Sequence, residues 1–77
     1  MKRMIIVADG WPCLYQECPP GLFVIGEERT LCLKTEYEDY GSFCASSGEV
    51  FWGGVKTKEG RAKLVVQPVV ARWVEEP

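Results

Sequence analysis

Histidine is absent from this 77-residue sequence. That excludes Ser-His-Asp and Cys-His catalysis and every metal site built on imidazole. Long apolar runs are missing too. Runs such as Met4 to Ala8 and Leu64 to Val66 fall far short of the roughly 20 residues that span a bilayer, so no transmembrane helix and no membrane partner are expected. Lys2 and Arg3 stand ahead of an apolar stretch as in a secretion signal. Only five residues separate them from Asp9-Gly10, however, against an h-region of about 7 to 15, and the chain reads as cytoplasmic. Charge of one sign is scarce. Nine Lys and Arg against eleven Asp and Glu give a net charge of −2, which offers no general attraction to phosphates, so nucleic acid is not the expected partner. There is no internal repeat, no low-complexity linker and no long amphipathic helical pattern. Gly53-Gly54 is not set in the G-x-x-x-x-G-K-[ST] or G-x-G-x-x-G spacing of a phosphate loop.

What is present suits one small domain over residues 1–77. The hydrophobic fraction is 47%, and three Trp, three Tyr and three Phe supply large side chains to a chain that needs every one of them. Charge is unevenly placed. Residues 1–50 hold eight acids and four bases, whereas residues 51–77 hold three acids and five bases, giving −4 and +2. A surface of two signs suits a partner with complementary patches better than a polyanion.

The fold class expected is mostly β: a small antiparallel sheet or partial barrel of about six short strands, with at most one short helical turn. Arg3 to Ala8 is a first strand of apolar and β-branched residues. Trp11-Pro12 and Glu17 to Gly21, with two successive prolines, form a loop. Leu22 to Ile25 and Thr30 to Lys34 make a hairpin around Gly26 to Arg29. In its second strand Leu31 and Leu33 face one way and Thr30, Cys32 and Lys34 the other, the alternation of a half-buried strand. Thr35 to Gly41 is an acidic, tyrosine-bearing loop. Ser42 to Ala45 and Glu49 to Trp52 form a second hairpin about Ser46-Ser47-Gly48. Thr57 is placed to cap a helical turn over Lys58 to Lys63, and Lys63 to Val74 returns to extended chain. Pro68 argues there for an edge position, a bulge or a break.

Four cysteines, Cys13, Cys18, Cys32 and Cys44, are enough for a tetrahedral zinc site, but only Cys13 and Cys18 lie near each other in sequence. The expectation is reduced thiols acting as small apolar residues and no cofactor, with a zinc-stabilised module as an alternative. Glu36, Glu38 and Asp39 cluster without apolar neighbours to split their acidities, so they read as a contact loop with Tyr37 and Tyr40 and not as an acid–base pair. Lys56, Lys58, Arg61 and Lys63 near Phe51 and Trp52 form a small basic cluster, the basis of an alternative reading as a single-strand nucleic-acid binder. Trp11 and Trp73 are expected in the core. Trp52, ending a strand at Gly53-Gly54, is the tryptophan expected to project.

Cys-Pro-Pro-Gly-Leu-Phe at 18–23, Lys-Thr-Glu-Tyr at 34–37 and Ser-Gly-Glu-Val-Phe-Trp-Gly-Gly at 47–54, in that order, resemble a group of small uncharacterised proteins encoded by bacteriophages and prophages. The resemblance implies a phage origin and carries no catalytic residue with it. Phage accessory proteins of this size often bind and disable a host protein, and by analogy the expected function is non-enzymatic: modulation of a host or phage protein. Its contact residues are expected to be Glu36, Tyr37, Glu38, Asp39, Tyr40 and Trp52, with Arg61 and Lys63 supplying the opposite sign. Self-association into a homodimer is compatible with such a surface.

Overall fold

The computed structural model describes residues 1–37 and 41–76. Six strands, β1 (Lys2–Ala8), β2 (Cys13–Leu14), β3 (Gly21–Ile25), β4 (Thr30–Lys34), β5 (Ser42–Cys44) and β6 (Val65–Glu75), are joined by a 3-10 turn at Tyr15–Glu17 and one helix, α1 (Lys58–Ala62). The sheet is antiparallel in the order β1-β6-β3-β4-β5, with β2 also against β6. The chain is therefore mostly β with one short helix, as its short alternating segments and turn residues imply.

β6 is the spine. Its length comes from Val65 to Val74, eight of whose ten residues are apolar or proline, and it is bordered on one side by β1 and then β2. Ala8 pairs with Val69 and Cys13 with Val66, and the Asp9 N–H still reaches the Pro68 carbonyl, so residues 10–12 loop out and the chain then rejoins the same edge. Glycine at position 10 suits this loop, because φ there is +84°. On its other side β6 pairs with β3 through Phe23–Pro68 and Val24–Gln67.

Pro68 thus lies within an unbroken central strand, and the expectation of an edge, bulge or break is corrected. The reason is local. The Asp9 N–H donates to the Pro68 carbonyl at 2.9 Å, so Pro68 directs its backbone toward the point where β1 has just ended. Its missing N–H falls past the last rung of the ladder, where it costs little.

The β3–β4 hairpin forms as the sequence indicates, closing on Ile25–Thr30 with the Arg29 N–H on the Gly26 carbonyl at 3.1 Å. The second hairpin is slighter than expected. Glu49 to Trp52 makes an isolated Phe43–Val50 bridge instead of a strand, aided by the Phe51 N–H on the Ser42 carbonyl at 2.8 Å. Thr57 caps α1, its Oγ1 accepting from the Gly60 N–H at 3.0 Å.

Strand pairing divides the sheet into two faces. On one, Phe23, Cys32, Val66 and Ser42 are fully buried. Tyr15 and Phe51 cover them, with ring centroids 5.8 Å (Tyr15–Phe23) and 5.3 Å (Phe23–Phe51) apart in edge-on contact. Each such pair contributes about 0.5–1.5 kcal/mol beyond burial. Cys18 completes the buried cluster, and Cys13, Ile25, Cys44 and Leu64 pack around it. In β4 it is therefore Cys32 that enters the core, while Leu33 is exposed on the other face.

Candidate interaction surface

On the face away from Phe23 and Cys32, the register places Met4 opposite Trp73, Ile6 opposite Ala71, Leu22 opposite Leu33, and Leu33 opposite Phe43. Val65, Val69 and Val24 share that side by alternation. Val24 and Val69, near its middle, are buried, whereas Met4, Val65, Leu33, Phe43 and Trp73 are exposed. Trp73 keeps 69% of its surface and Met4 54%. Among the described residues, five of the eight large hydrophobic side chains that face solvent thus lie on one side of one sheet. The sheet's other side carries the layer formed by Tyr15, Phe51 and α1.

This surface extends onto a projection. Past Pro68, β6 is paired with β1 alone, and the two strands run out as a ribbon that stretches the molecule to 47 Å against 25 and 24 Å in the other directions. Its far end is held by Arg3 Nε on Glu76 Oε1 at 2.6 Å and by the Met1 amine 3.7 Å from Glu75. Exposed pairs of this kind add little.

The residues singled out in the sequence separate. Glu36 and Tyr37 are exposed, Tyr37 at 81%, on a loop closed by the Thr35 N–H on the Gly41 carbonyl. Glu38, Asp39 and Tyr40 lie outside the described residues. Lys63 is exposed at the C-terminal cap of α1, as are Lys56 and Lys58 before and within it. Arg61 is turned inward instead, only 4% exposed, with Nη1 donating to the Phe51 carbonyl at 3.0 Å. Its guanidinium lies 4.7 Å from the Trp52 ring centroid and 5.1 Å from that of Tyr15. Trp52 is accordingly half-buried, and the two tryptophans expected inside, Trp11 and Trp73, are exposed. The basic cluster presents three lysines at its surface while its arginine braces the core.

A second cation serves the interior. Lys34 Nζ donates to the carbonyls of Tyr15 and Cys18, each at 2.6 Å, and sits 4.5 Å from the Tyr15 ring centroid. Burial lowers its pKa; the neighbouring thiols Cys18 and Cys13 oppose that shift and Arg61 adds to it. The Tyr15 hydroxyl meets Ser42 Oγ, so the ring is held at its edge, on its faces and at its tip.

The cysteines form two pairs. Cys32 and Cys44 are directly opposed on β4 and β5 with Sγ atoms 4.0 Å apart, and Cys18 neighbours Cys13. Burial, and secondarily Cys44, pushes the Cys32 thiol up to about 12. Burial first, and then Cys13, raises Cys18. Among the described residues no group of three or more Cys, Asp or Glu is arranged to hold a metal ion, and no helix is long and apolar enough to cross a membrane.

Sequence reasoning overlooked Met4, Leu33, Phe43 and Trp73. The available signal was Met4-Ile5-Ile6-Val7, which does not alternate. A strand apolar on both faces in so small a chain must leave one of them uncovered.

Fold and surface define a class, a small open antiparallel sheet one of whose faces carries exposed apolar side chains around a buried middle. No protein-family model, no curated protein and no solved structure matches the chain.

Proposed function

We propose that this protein is a non-catalytic binding module that docks the bare face of its sheet onto an apolar surface of another protein. The observation that carries this reading is the gathering of Met4, Val65, Leu33, Phe43 and Trp73 on one face. Exposed apolar side chains gathered on one side of a small protein favour its reading as a contact surface. Aromatic and methionine side chains are also those that contribute most at the centre of protein interfaces. Glu36 and Tyr37, with Glu38, Asp39 and Tyr40 by sequence, and Lys63 add polar contacts of both signs. Arg61 and Trp52 act indirectly, by holding the layer behind the sheet. The resemblance to phage-encoded proteins makes the partner a host or phage protein in the bacterial cytoplasm, and the effect its modulation or inhibition.

The test is capture of a bacterial protein on immobilised wild type, then on Trp73→Lys/Leu33→Lys and on Tyr37→Ala. Loss of the captured protein with the lysine pair, its retention or modest weakening with Tyr37→Ala, and an unchanged circular dichroism spectrum are expected. Equal capture by the lysine pair and the wild type removes the bare face from the proposal.

A further inference from the structure

The β1 edge bears on a different question from the bare face, namely what lies beside the ribbon. Among the described residues β1 ends the sheet. The direction of its backbone groups follows from two bonds: the Asp9 N–H donates to the Pro68 carbonyl at 2.9 Å, and the Glu76 N–H donates to the Met1 carbonyl at 2.8 Å. Odd-numbered residues from 1 to 9 therefore point their amides and carbonyls at β6. Lys2, Met4, Ile6 and Ala8 point theirs outward. The result is a seven-residue free edge on a two-stranded ribbon whose residues Met4, Ile5, Ile6 and Val7 are apolar on both faces. Two strands alone are marginal in water, and a long apolar edge is a template for further pairing.

We propose that β1 pairs antiparallel with β1 of a second copy of this chain, about a twofold axis passing through Ile6. Twofold pairing of a strand with itself brings residues of the same face together, so the axis must pass through a residue. Outward-facing Ile6 can exchange both of its backbone hydrogen bonds with Ile6 of the second copy. Met4 then exchanges hydrogen bonds with Ala8 of the second copy. Ile5 packs beside Val7, and Arg3 beside Asp9, in the closer non-hydrogen-bonded positions.

Charge selects this register. It sets Arg3 of each copy against Asp9 of the other, twice by symmetry, whereas centring on Ile5 sets Arg3 against Val7. Arg3 uses Nε for Glu76 within its own chain, leaving the Nη groups for Asp9 of the second copy. Asp9 is exposed and, among the described residues, takes part in no ion pair within its own chain. The assembled sheet is continuous across both copies, with Met4 and Trp73 of each on the same side.

The experiment is sedimentation equilibrium on the wild type, on Arg3→Asp, on Asp9→Arg, and on an equimolar mixture of the two variants. The wild type is expected at twice the 8.7 kDa chain mass. Each single reversal sets like charges face to face at both contacts and weakens association by roughly tenfold or more. The mixture restores opposite charges at both contacts and recovers the dimer. Thermal unfolding of each variant shows that it remains folded. A wild type that stays at the chain mass at its highest soluble concentration overturns the proposal. So does a dimer insensitive to both reversals, or a mixture that fails to recover. Each of these outcomes leaves the docking of the bare face standing, since that is read by capture and not by mass.

Discussion

The Arg61 guanidinium lies over the Trp52 ring, 4.7 Å from its centroid, on the side of the molecule opposite the exposed apolar sheet face. Two residues with the chemistry of a contact site are thereby spent on each other. Arg61 also satisfies the buried Phe51 carbonyl, and the Tyr15 ring lies within reach of the same group. Arg61→Ala is expected to cost about 2–4 kcal/mol, from a lost charge-assisted hydrogen bond, an unsatisfied carbonyl and two cation–π contacts. Urea denaturation measures this as a lower midpoint at unchanged slope. A loss under about 0.5 kcal/mol would place Arg61 among ordinary surface residues.

Tyr15 and Ser42 are coupled through their hydroxyls, both groups being buried. Tyr15→Phe leaves Ser42 without that partner and is expected to destabilise by about 1–3 kcal/mol. Adding Ser42→Ala should cost much less than it does in the wild type, because the orphaned hydroxyl is then gone. A double-mutant cycle checks this, and additive losses would contradict the pairing.

Stability should fall in alkali. The Cys32 thiol is pushed up to about 12 in the folded protein, burial being the main cause, while the unfolded chain titrates near 9.0. Between those values the unfolded state holds fewer protons, so stability is intact below about pH 9 and is lost as pH rises toward 12. Lys34 acts in the opposite sense. Burial lowers its pKa, and its penalty is relieved as pH climbs to its ordinary 10.5. Denaturant midpoints at pH 8 and pH 10.5 should therefore fall more steeply for the wild type than for Cys32→Ala. Equal falls would contradict the assignment to Cys32.

Cys32 and Cys44 are poised to join. The Cys44 N–H donates to the Glu49 carbonyl, away from β4, which makes the pair a non-hydrogen-bonded one with Cα atoms at the short spacing of about 4.5 Å. Cys44 also lines an open depression with Trp52 and Phe51, giving an oxidant access. With hydrogen peroxide, the two thiols give up two electrons and two protons and the peroxide becomes two waters. Peptide mapping should then find the Cys32–Cys44 disulfide ahead of any link from either residue to Cys13 or Cys18. Closing this loop is expected to stabilise by roughly 3 kcal/mol. A peroxide-treated protein in which Cys32 and Cys44 remain free while Cys13 and Cys18 have reacted would go against this.

The mostly β class and most of the turns were legible in the sequence, whereas the strand order was not. Short apolar segments cut by Pro-Pro-Gly, Gly26 and Ser-Ser-Gly permit strands and tight connections, and Thr57 starts a helix where the pattern changes. These are local effects that neighbouring residues decide. Which face of each strand would be covered was not local. Leu31 and Leu33 are as apolar as Cys32, and the period of two marks the faces without ranking them. The choice fell to Tyr15, Phe51 and α1, which arrive from distant parts of the chain and cover the Cys32 face. That layer drew Arg61 inside, left Trp73 and Met4 outside, and sorted four dispersed cysteines into two pairs. The functional surface was illegible for the same reason: it is the face that the packing left over.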